Sequence, residues 1–171
     1  MTLALRVTAL VLVAAVVQVS AVMGSSLLGA ELDVLLLTIV GIALLTGAIP
    51  GAVAGFFGGL LVDVMTLSTL GFTSILLVLA GYWAGRYGET TGRGRAYAGS
   101  LTAFAMTILV GIAALVLHFM LGDTVSGSAA LTPLLPSALL AALVVVPVQR
   151  VARWVVRGRA HSQPTGPVEL V

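Results

Sequence analysis

The chain has 171 residues, of which 60% are hydrophobic and 8% charged, with a formal net charge of +2 and a mean hydropathy of +1.19. A water-soluble domain of this length needs a charged outer shell that this composition cannot supply, so the sequence is written for a bilayer. The absence of cysteine excludes disulfides, thiolate metal sites and a cysteine nucleophile. The pI near 9.7 reflects few ionisable groups rather than a nucleic-acid-binding surface.

The first apolar segment runs from about Leu3 to Met23. Arg6 and a Val19-Ser20-Ala21 sequence loosely suit a cleaved secretory signal, but the run exceeds the roughly 7–15 residues of a signal core, so retention as a first crossing is expected. A Gly24-Ser25-Ser26 turn and an acidic approach, Glu31 and Asp33, follow. The next run, Val34 to Val62, would make a straight helix roughly 43 Å long, well above a hydrocarbon core of about 30 Å. It must break, and Gly47-Ala48-Ile49-Pro50-Gly51 is the breaker, with Pro50 suited to the first turn of a new helix.

This divides the run into segments 34–49 and 50–63, crossing the membrane as two short tilted helices, or alternatively forming a re-entrant hairpin. A fourth segment covers 70–87, and a polar, glycine-rich loop is expected over Gly88 to Arg95. The fifth covers 97–121 and is followed by a polar loop from Gly122 to Thr132. The sixth, 133–156, ends among arginines, and the tail from Gly158 to Val171, with Pro164, Gly166 and Pro167, is expected to be disordered. The expectation is one all-α integral membrane domain over 1–157 with six transmembrane helices.

Charge sidedness agrees with an even number of crossings. Threaded from a cytoplasmic N-terminus, Arg6, Arg86, Arg93, Arg95, Arg150, Arg153, Arg157 and Arg159 all fall inside, while Glu31, Asp33, Asp63 and Asp123 fall outside. A single crossing over 34–62 would export Arg86, Arg93 and Arg95. Tyr82, Trp83, Tyr87, Tyr97 and Trp154 gather near the expected cytoplasmic ends as an interfacial anchor. The arginines from Arg150 to Arg159 read as a positive-inside signal with affinity for anionic lipid.

The most ordered pattern is a glycine ladder, Gly47, Gly51, Gly55 and Gly59, with Asp63 at the next step and Gly81 and Gly85 repeating the device on segment 4. Small residues along one helix stripe let a second backbone approach closely, either within the bundle or on a partner. Leucine at Gly55 or Gly59 is expected to block that approach, and alanine to be much milder. Asp63 either caps the loop and segment 4, meets a partner, or takes part in proton or transport chemistry. His118 has no histidine or carboxylate at ligand spacing, so neither it nor His161 suggests a metal. No nucleophile elbow, phosphate loop or paired Asp motif is present, so no catalytic, cofactor-binding or metal residue is assigned.

Gly55-Phe56-Phe57-Gly58-Gly59-Leu60-Leu61-Val62-Asp63, then Leu70-Gly71, then Gly81-Tyr82-Trp83-Ala84-Gly85-Arg86 form the pattern G-F-x-x-G-L-L-x-D, L-G, G-Y-x-x-G-R. This pattern resembles the MreD family of bacterial rod shape-determining proteins. The resemblance implies a multi-pass, non-catalytic subunit of the cell-elongation machinery in the bacterial cytoplasmic membrane. Its partners would be MreC and, indirectly, the actin-like MreB and the glycosyltransferase and transpeptidase that build lateral peptidoglycan. The family's architecture is in turn similar to the membrane substrate-binding components of energy-coupling-factor vitamin transporters, which gives the alternative function of a vitamin or small-solute binding component. The positions carried over are Gly55, Phe56, Gly59, Asp63, Gly71, Gly81, Tyr82, Gly85 and Arg86, to which the ladder adds Gly51. The loop Met65-Thr66-Leu67-Ser68-Thr69 departs from the Gly, Ser and Pro usual there.

A solute site would need convergent polar groups within the bundle, whereas Gln18, Ser20, Thr46, Ser74, Thr102 and Thr107 are scattered along the chain. An enzyme would need a nucleophile, base or metal constellation, and none is visible. A scaffold needs packing faces, which these residues offer.

Overall fold

A computed structural model describes residues 3–22, 33–91, 98–122 and 134–157. Within them the chain is all-helical: α1 (Leu3–Val22), α2 (Val34–Thr46), α3 (Ala48–Thr66), α4 (Phe72–Thr91), α5 (Ala98–Met120) and α6 (Leu134–Arg157). Three helical stretches are long and apolar enough to cross a membrane: α3, Gly99–Met120 of α5 and Leu134–Trp154 of α6. Leu5–Ser20 and Val34–Thr46 are apolar but shorter. The expected tail 158–171, the Gly24–Ser26 turn, Glu31, Arg93, Arg95, Tyr97, Asp123, Arg159 and His161 lie outside the described residues.

Helix α2 is the axis of the bundle. Every residue from Leu35 to Ala43 is buried, which requires a helix that is apolar all round, and its sequence VLLLTIVGIALLT has no polar face. The other five surround it in the order α1, α3, α4, α5, α6 and back to α1. The core on one side joins Val11, Ala14 and Ala15 of α1 to Leu35, Ile39 and Ala43 of α2, Ala54 of α3, and Leu77, Ala80 and Ala84 of α4. On the other, Leu37 of α2 packs with Ala103 of α5 and Ala141 and Val145 of α6.

The break between α2 and α3 falls on Gly47 alone, with φ 108° and ψ −178°. This is two to three residues before the expected boundary, and Gly47 is a hinge rather than the first rung of a ladder on α3. A positive φ there is why the joint needs glycine. The chain reverses at this point: a Cβ on Gly51 would meet that of Ala43, and one on Gly58 would lie 3.4 Å from Leu35 and 3.5 Å from Ile39. Helices α2 and α3 therefore run side by side in opposite directions. In the first turn of α3 Ala48 N–H donates to Glu89 at 2.9 Å, Pro50 has no N–H, and Gly51 N–H donates to the Gly47 carbonyl at 3.1 Å.

Two further boundaries differ from expectation. Helix α3 continues to Thr66, beyond Asp63, because Leu67 rather than Asp63 forms its C-cap. Helix α4 runs to Thr91, so Gly88 to Thr91 is helix and not the start of a loop. Gly88 is buried there, with the Leu44 backbone where a side chain would be, and this tertiary contact outweighs the poor intrinsic helix propensity of glycine.

The directions of the helices gather the charges. Gln18, near the end of α1, reaches the start of α2, so these two are antiparallel. Gly41 of α2 lies beside Gln149 and Ala152 of α6, Gly99 at the start of α5 meets Gln149, and the ring of Phe72 at the start of α4 meets His118 at the end of α5. Arg6, Arg86, Arg150 and Arg153 consequently lie toward one end of the bundle and Asp33 and Asp63 toward the other. Among the described residues Glu89 is the acid at the arginine end, with its carboxylate 3.8 Å from Arg86.

The position of α2 beside α6 can be checked by cross-linking. A Cβ at Gly41 would stand 3.5 Å from that of Ala152, within the range of about 3.5–4.5 Å that a disulfide bridges. In a chain without native cysteine, the Gly41→Cys, Ala152→Cys pair should oxidise readily. With a protease site inserted before Pro133, the two halves should remain joined on a non-reducing gel. Separation of the halves would contradict the central placement of α2.

Candidate functional site

The ten residues singled out in the sequence all fall on one unit, the antiparallel hairpin of α3 and α4. Its two backbones touch along most of their length. A Cβ on Gly59 would lie 2.5 Å from Ser74 Cα, on Gly55 2.6 Å from the Leu77 carbonyl carbon, on Gly81 2.6 Å from the Gly51 carbonyl carbon, and on Gly85 2.5 Å from Ala48 Cα. Gly51 in turn faces both Gly81 and Ala43. These glycines are buried rungs between α3 and α4, and Ser74 adds a hydrogen bond from its hydroxyl to the Phe56 carbonyl at 3.3 Å. The expectation that alanine would be mild is corrected: the atoms in the way belong to backbone, which cannot swing aside as a side chain can.

Asp63 closes the turn end of the hairpin. It is fully buried, at 0% exposure, and its carboxylate accepts hydrogen bonds from Gly71 N–H at 2.8 Å, Thr73 N–H at 3.2 Å and the Ser68 hydroxyl at 3.3 Å. Gly71 and Thr73 stand at the start of α4, so one carboxylate satisfies helix-end donors and sits favourably at the positive end of the α4 dipole. Of the alternatives for this residue, the geometry shows the cap. Gly71 has φ 92° with open space around it, so it is needed for its backbone conformation rather than for close contact.

Leu67 completes the turn in the left-handed region, φ 52° and ψ 30°, where its N–H reaches the Asp63 and Val64 carbonyls. Glycine is the usual residue at such a helix end, and a leucine there is disfavoured by roughly 1–2 kcal/mol. This is the physical consequence of the loop's departure from a Gly-rich sequence.

Phe56, Tyr82 and Arg86 have a different placement, since all three are exposed on the outside of the hairpin. Phe56 packs edge to face on Phe57 at 5.4 Å, and Tyr82 on Trp83 at 6.2 Å. The candidate set thus divides into an internal zipper, Gly51, Gly55, Gly59, Asp63, Gly81 and Gly85, the turn residue Gly71, and an external group.

Two residues that matter here were not among the candidates. Glu89 joins the end of α4 to the first N–H of α3 across 41 residues of sequence. Gln18 accepts hydrogen bonds from Val34 N–H at 2.7 Å and Leu35 N–H at 3.5 Å, while Asp33 caps Leu36 N–H at 2.8 Å. A polar amide inside an otherwise apolar helix was the available signal for Gln18. No local spacing announces Glu89.

Among the described residues no cluster of His, Asp or Glu is arranged to hold a metal ion, and no buried side-chain nitrogen or oxygen lacks a hydrogen-bond partner. His118 lies against Phe72, with ring centroids 4.6 Å apart. Comparison with known proteins finds no matching family, no matching curated protein and no matching solved structure.

Gly55→Ala should lower the stability of the purified protein by about 1–3 kcal/mol, because a methyl group is forced against the Leu77 backbone. Asp63→Ala should cost at least as much, since charge-assisted hydrogen bonds contribute about 1.5–3 kcal/mol and their donors would be left buried. Asp63→Asn keeps an acceptor and should fall between Asp63→Ala and the native chain. Thermal unfolding followed by fluorescence-detected size exclusion measures all three. Native-like melting of both alanine variants would refute the zipper and the cap as described.

Proposed function

We propose that this chain is a non-catalytic membrane scaffold subunit of the bacterial cell-elongation machinery, of the kind the MreD resemblance implies, associated with MreC and supporting lateral peptidoglycan synthesis. The observation that carries the reading is that the motif works as one physical unit. Its glycines zip α3 to α4, its Asp63 and Gly71 build the turn between them, and its Phe56, Tyr82 and Arg86 remain outside. Chance glycines in an apolar sequence have no reason to pair rung by rung across two helices.

We further propose six crossings of the cytoplasmic membrane with both termini in the cytoplasm. Support comes from Arg6, Arg86, Arg150 and Arg153 at one end of the bundle, Asp33 and Asp63 at the other, and the reversal of the chain at Gly47. At 13 residues α2 spans only about 20 Å, so as a crossing it relies on local bilayer thinning and on shielding by the five helices around it. Single cysteines introduced at Ser26 and Ser126 should react with a membrane-impermeant reagent applied outside intact cells, and one at Gly92 should not. The opposite pattern would overturn the orientation.

Affinity purification of the tagged protein should recover MreC and wall synthases. Recovery of a vitamin-transport ATPase in their place would favour the solute-binding alternative. Because Gly55 and Gly59 are consumed inside the hairpin, Gly55→Leu and Gly59→Leu should reduce abundance and MreC recovery together, leaving MreC per folded molecule near the native value. A fall in that ratio at normal abundance would instead make the stripe a partner face.

A further inference from the structure

At the acidic end of the bundle the apolar surface does not stop where the helices stop. Leu67 is 92% exposed and Leu70 68%, and on the neighbouring segment Phe119 is 83%, Met120 77% and Leu121 51% exposed. The contact between Phe72 and His118 brings these two segments together, since each lies within a few residues of that pair. Buried Asp63 behind this turn accepts the Gly71 and Thr73 N–H groups and the Ser68 hydroxyl, while Thr66, Ser68 and Thr69 stay exposed among the apolar side chains, a mixture suited to the level where acyl chains meet headgroups. A helix end in water normally places glycine in the left-handed position. Here that position holds a leucine, at φ 52°, with its side chain outward.

Depth identifies what this surface meets. Ala48 lies level with Gly85, beside Arg86, and α3 rises from there through 19 residues, or about 28 Å. A hydrocarbon core is about 30 Å thick. With the arginines at the inner boundary, Leu67 and its neighbours arrive at the outer one, where acyl chains give way to headgroups. The tyrosines and tryptophans that usually anchor a membrane protein are absent from this end of the described bundle, where Tyr82, Trp83, Tyr87 and Trp154 all lie toward the arginine end.

We propose that Leu67, Leu70, Phe119, Met120 and Leu121 form an outer-leaflet lipid anchor, a rim that dips into the acyl chains just below the headgroups and fixes the depth of the α3–α4 hairpin. Asp63 holds the rim in place through its hydrogen bonds from the Ser68 hydroxyl and the Gly71 and Thr73 N–H groups. The inference rests on the membrane-spanning orientation proposed above, and the occupant is phospholipid rather than a partner protein because the residues are apolar and lie at the boundary depth of the chain's own helices.

The test uses the full-length protein in nanodiscs of phosphatidylethanolamine and phosphatidylglycerol, with Trp83→Phe and Trp154→Phe as a background free of tryptophan. Three single probes are compared: Leu67→Trp and Met120→Trp on the rim, and Phe57→Trp midway along α3, where the native side chain is 63% exposed. Lipid carrying a nitroxide high on its acyl chain should quench both rim probes more strongly than aqueous iodide does. A nitroxide near the chain terminus should quench the Phe57 probe most. If the Phe57 probe responds to lipid quenchers but both rim probes respond only to iodide, the rim faces water and the anchor is overturned while the membrane reading stands. If both rim probes are shielded from lipid and iodide alike, a protein covers the rim and the anchor is again overturned. If the Phe57 probe itself is quenched by iodide alone, the membrane reading fails and the anchor with it.

Discussion

The contact between the α3 and α4 backbones sets the geometry that the other helices follow. Lipid tails are as apolar as leucine, so helices in a bilayer gain little by hiding apolar surface and must gain instead from close packing and hydrogen bonds. Glycine at Gly51, Gly55, Gly59, Gly81 and Gly85 removes the side chains that would separate two helices, and dispersion then acts between main-chain atoms along the whole length of the pair. The groove on one side of this thin pair receives α2. A helix seated there and enclosed by α1, α5 and α6 has no outward face, which accounts for nine consecutive buried residues in α2 and for the absence of any polar residue but two threonines. Thr38 and Thr46 are tolerated because each hydroxyl returns to the carbonyl four residues earlier.

Helix ends are the second constraint. An N-terminus that water cannot reach leaves several N–H groups without acceptors, and each costs free energy unless a side chain supplies one. Three helices meet this need through residues of a neighbour: Gln18 of α1 for α2, Glu89 of α4 for α3, and Asp63 of α3 for α4. Asp63 and Glu89 are reciprocal, since each carboxylate lies in the last turns of one strand of the hairpin and caps the first turn of the other. Negative charge at a helix N-terminus is favourable, whereas Asp63 near the C-terminus of its own helix is not. The three donors around its carboxylate offset that disadvantage, and they place the polar cap at the end of the glycine zipper.

How much of this was legible in the sequence follows from whether the cause was local. The helical content, the break somewhere in Gly47 to Gly51 and the close-packing stripe all derive from apolar runs and glycine spacing, which are properties of short windows. The exact hinge is not legible, because Pro50 is the more visible local signal, while Gly47 carries the positive φ and Glu89, 41 residues from Ala48, satisfies the new helix. Gly88 and Glu89 read as loop residues, so local sequence ends α4 at Tyr87 although it continues to Thr91. Their helical state depends on Leu44 and Ala48, which no window around residue 88 contains. The same reason explains the misjudged alanine substitutions: spacing says that a glycine faces another helix, and only the structure says that it faces the other helix's backbone.

The division of the motif into inner and outer residues bears on how such a protein could serve as a scaffold. Association is opposed by the loss of side-chain and backbone freedom on binding, and a surface already held rigid loses less. A hairpin zipped by backbone contact and capped at both ends is such a surface. Phe56 and Tyr82 each stand against an adjacent aromatic ring, which limits their rotamers before any contact is made, while Arg86 forms only an exposed pair with Glu89. The glycines and Asp63 are fully engaged within the hairpin and offer nothing to a second protein directly. In the proposed scaffold their contribution is to hold the outer residues in register, so a fault in the zipper and a fault in the outer face would have different signatures: the first lowers the amount of folded molecule, and the second leaves it intact but impairs the proposed association.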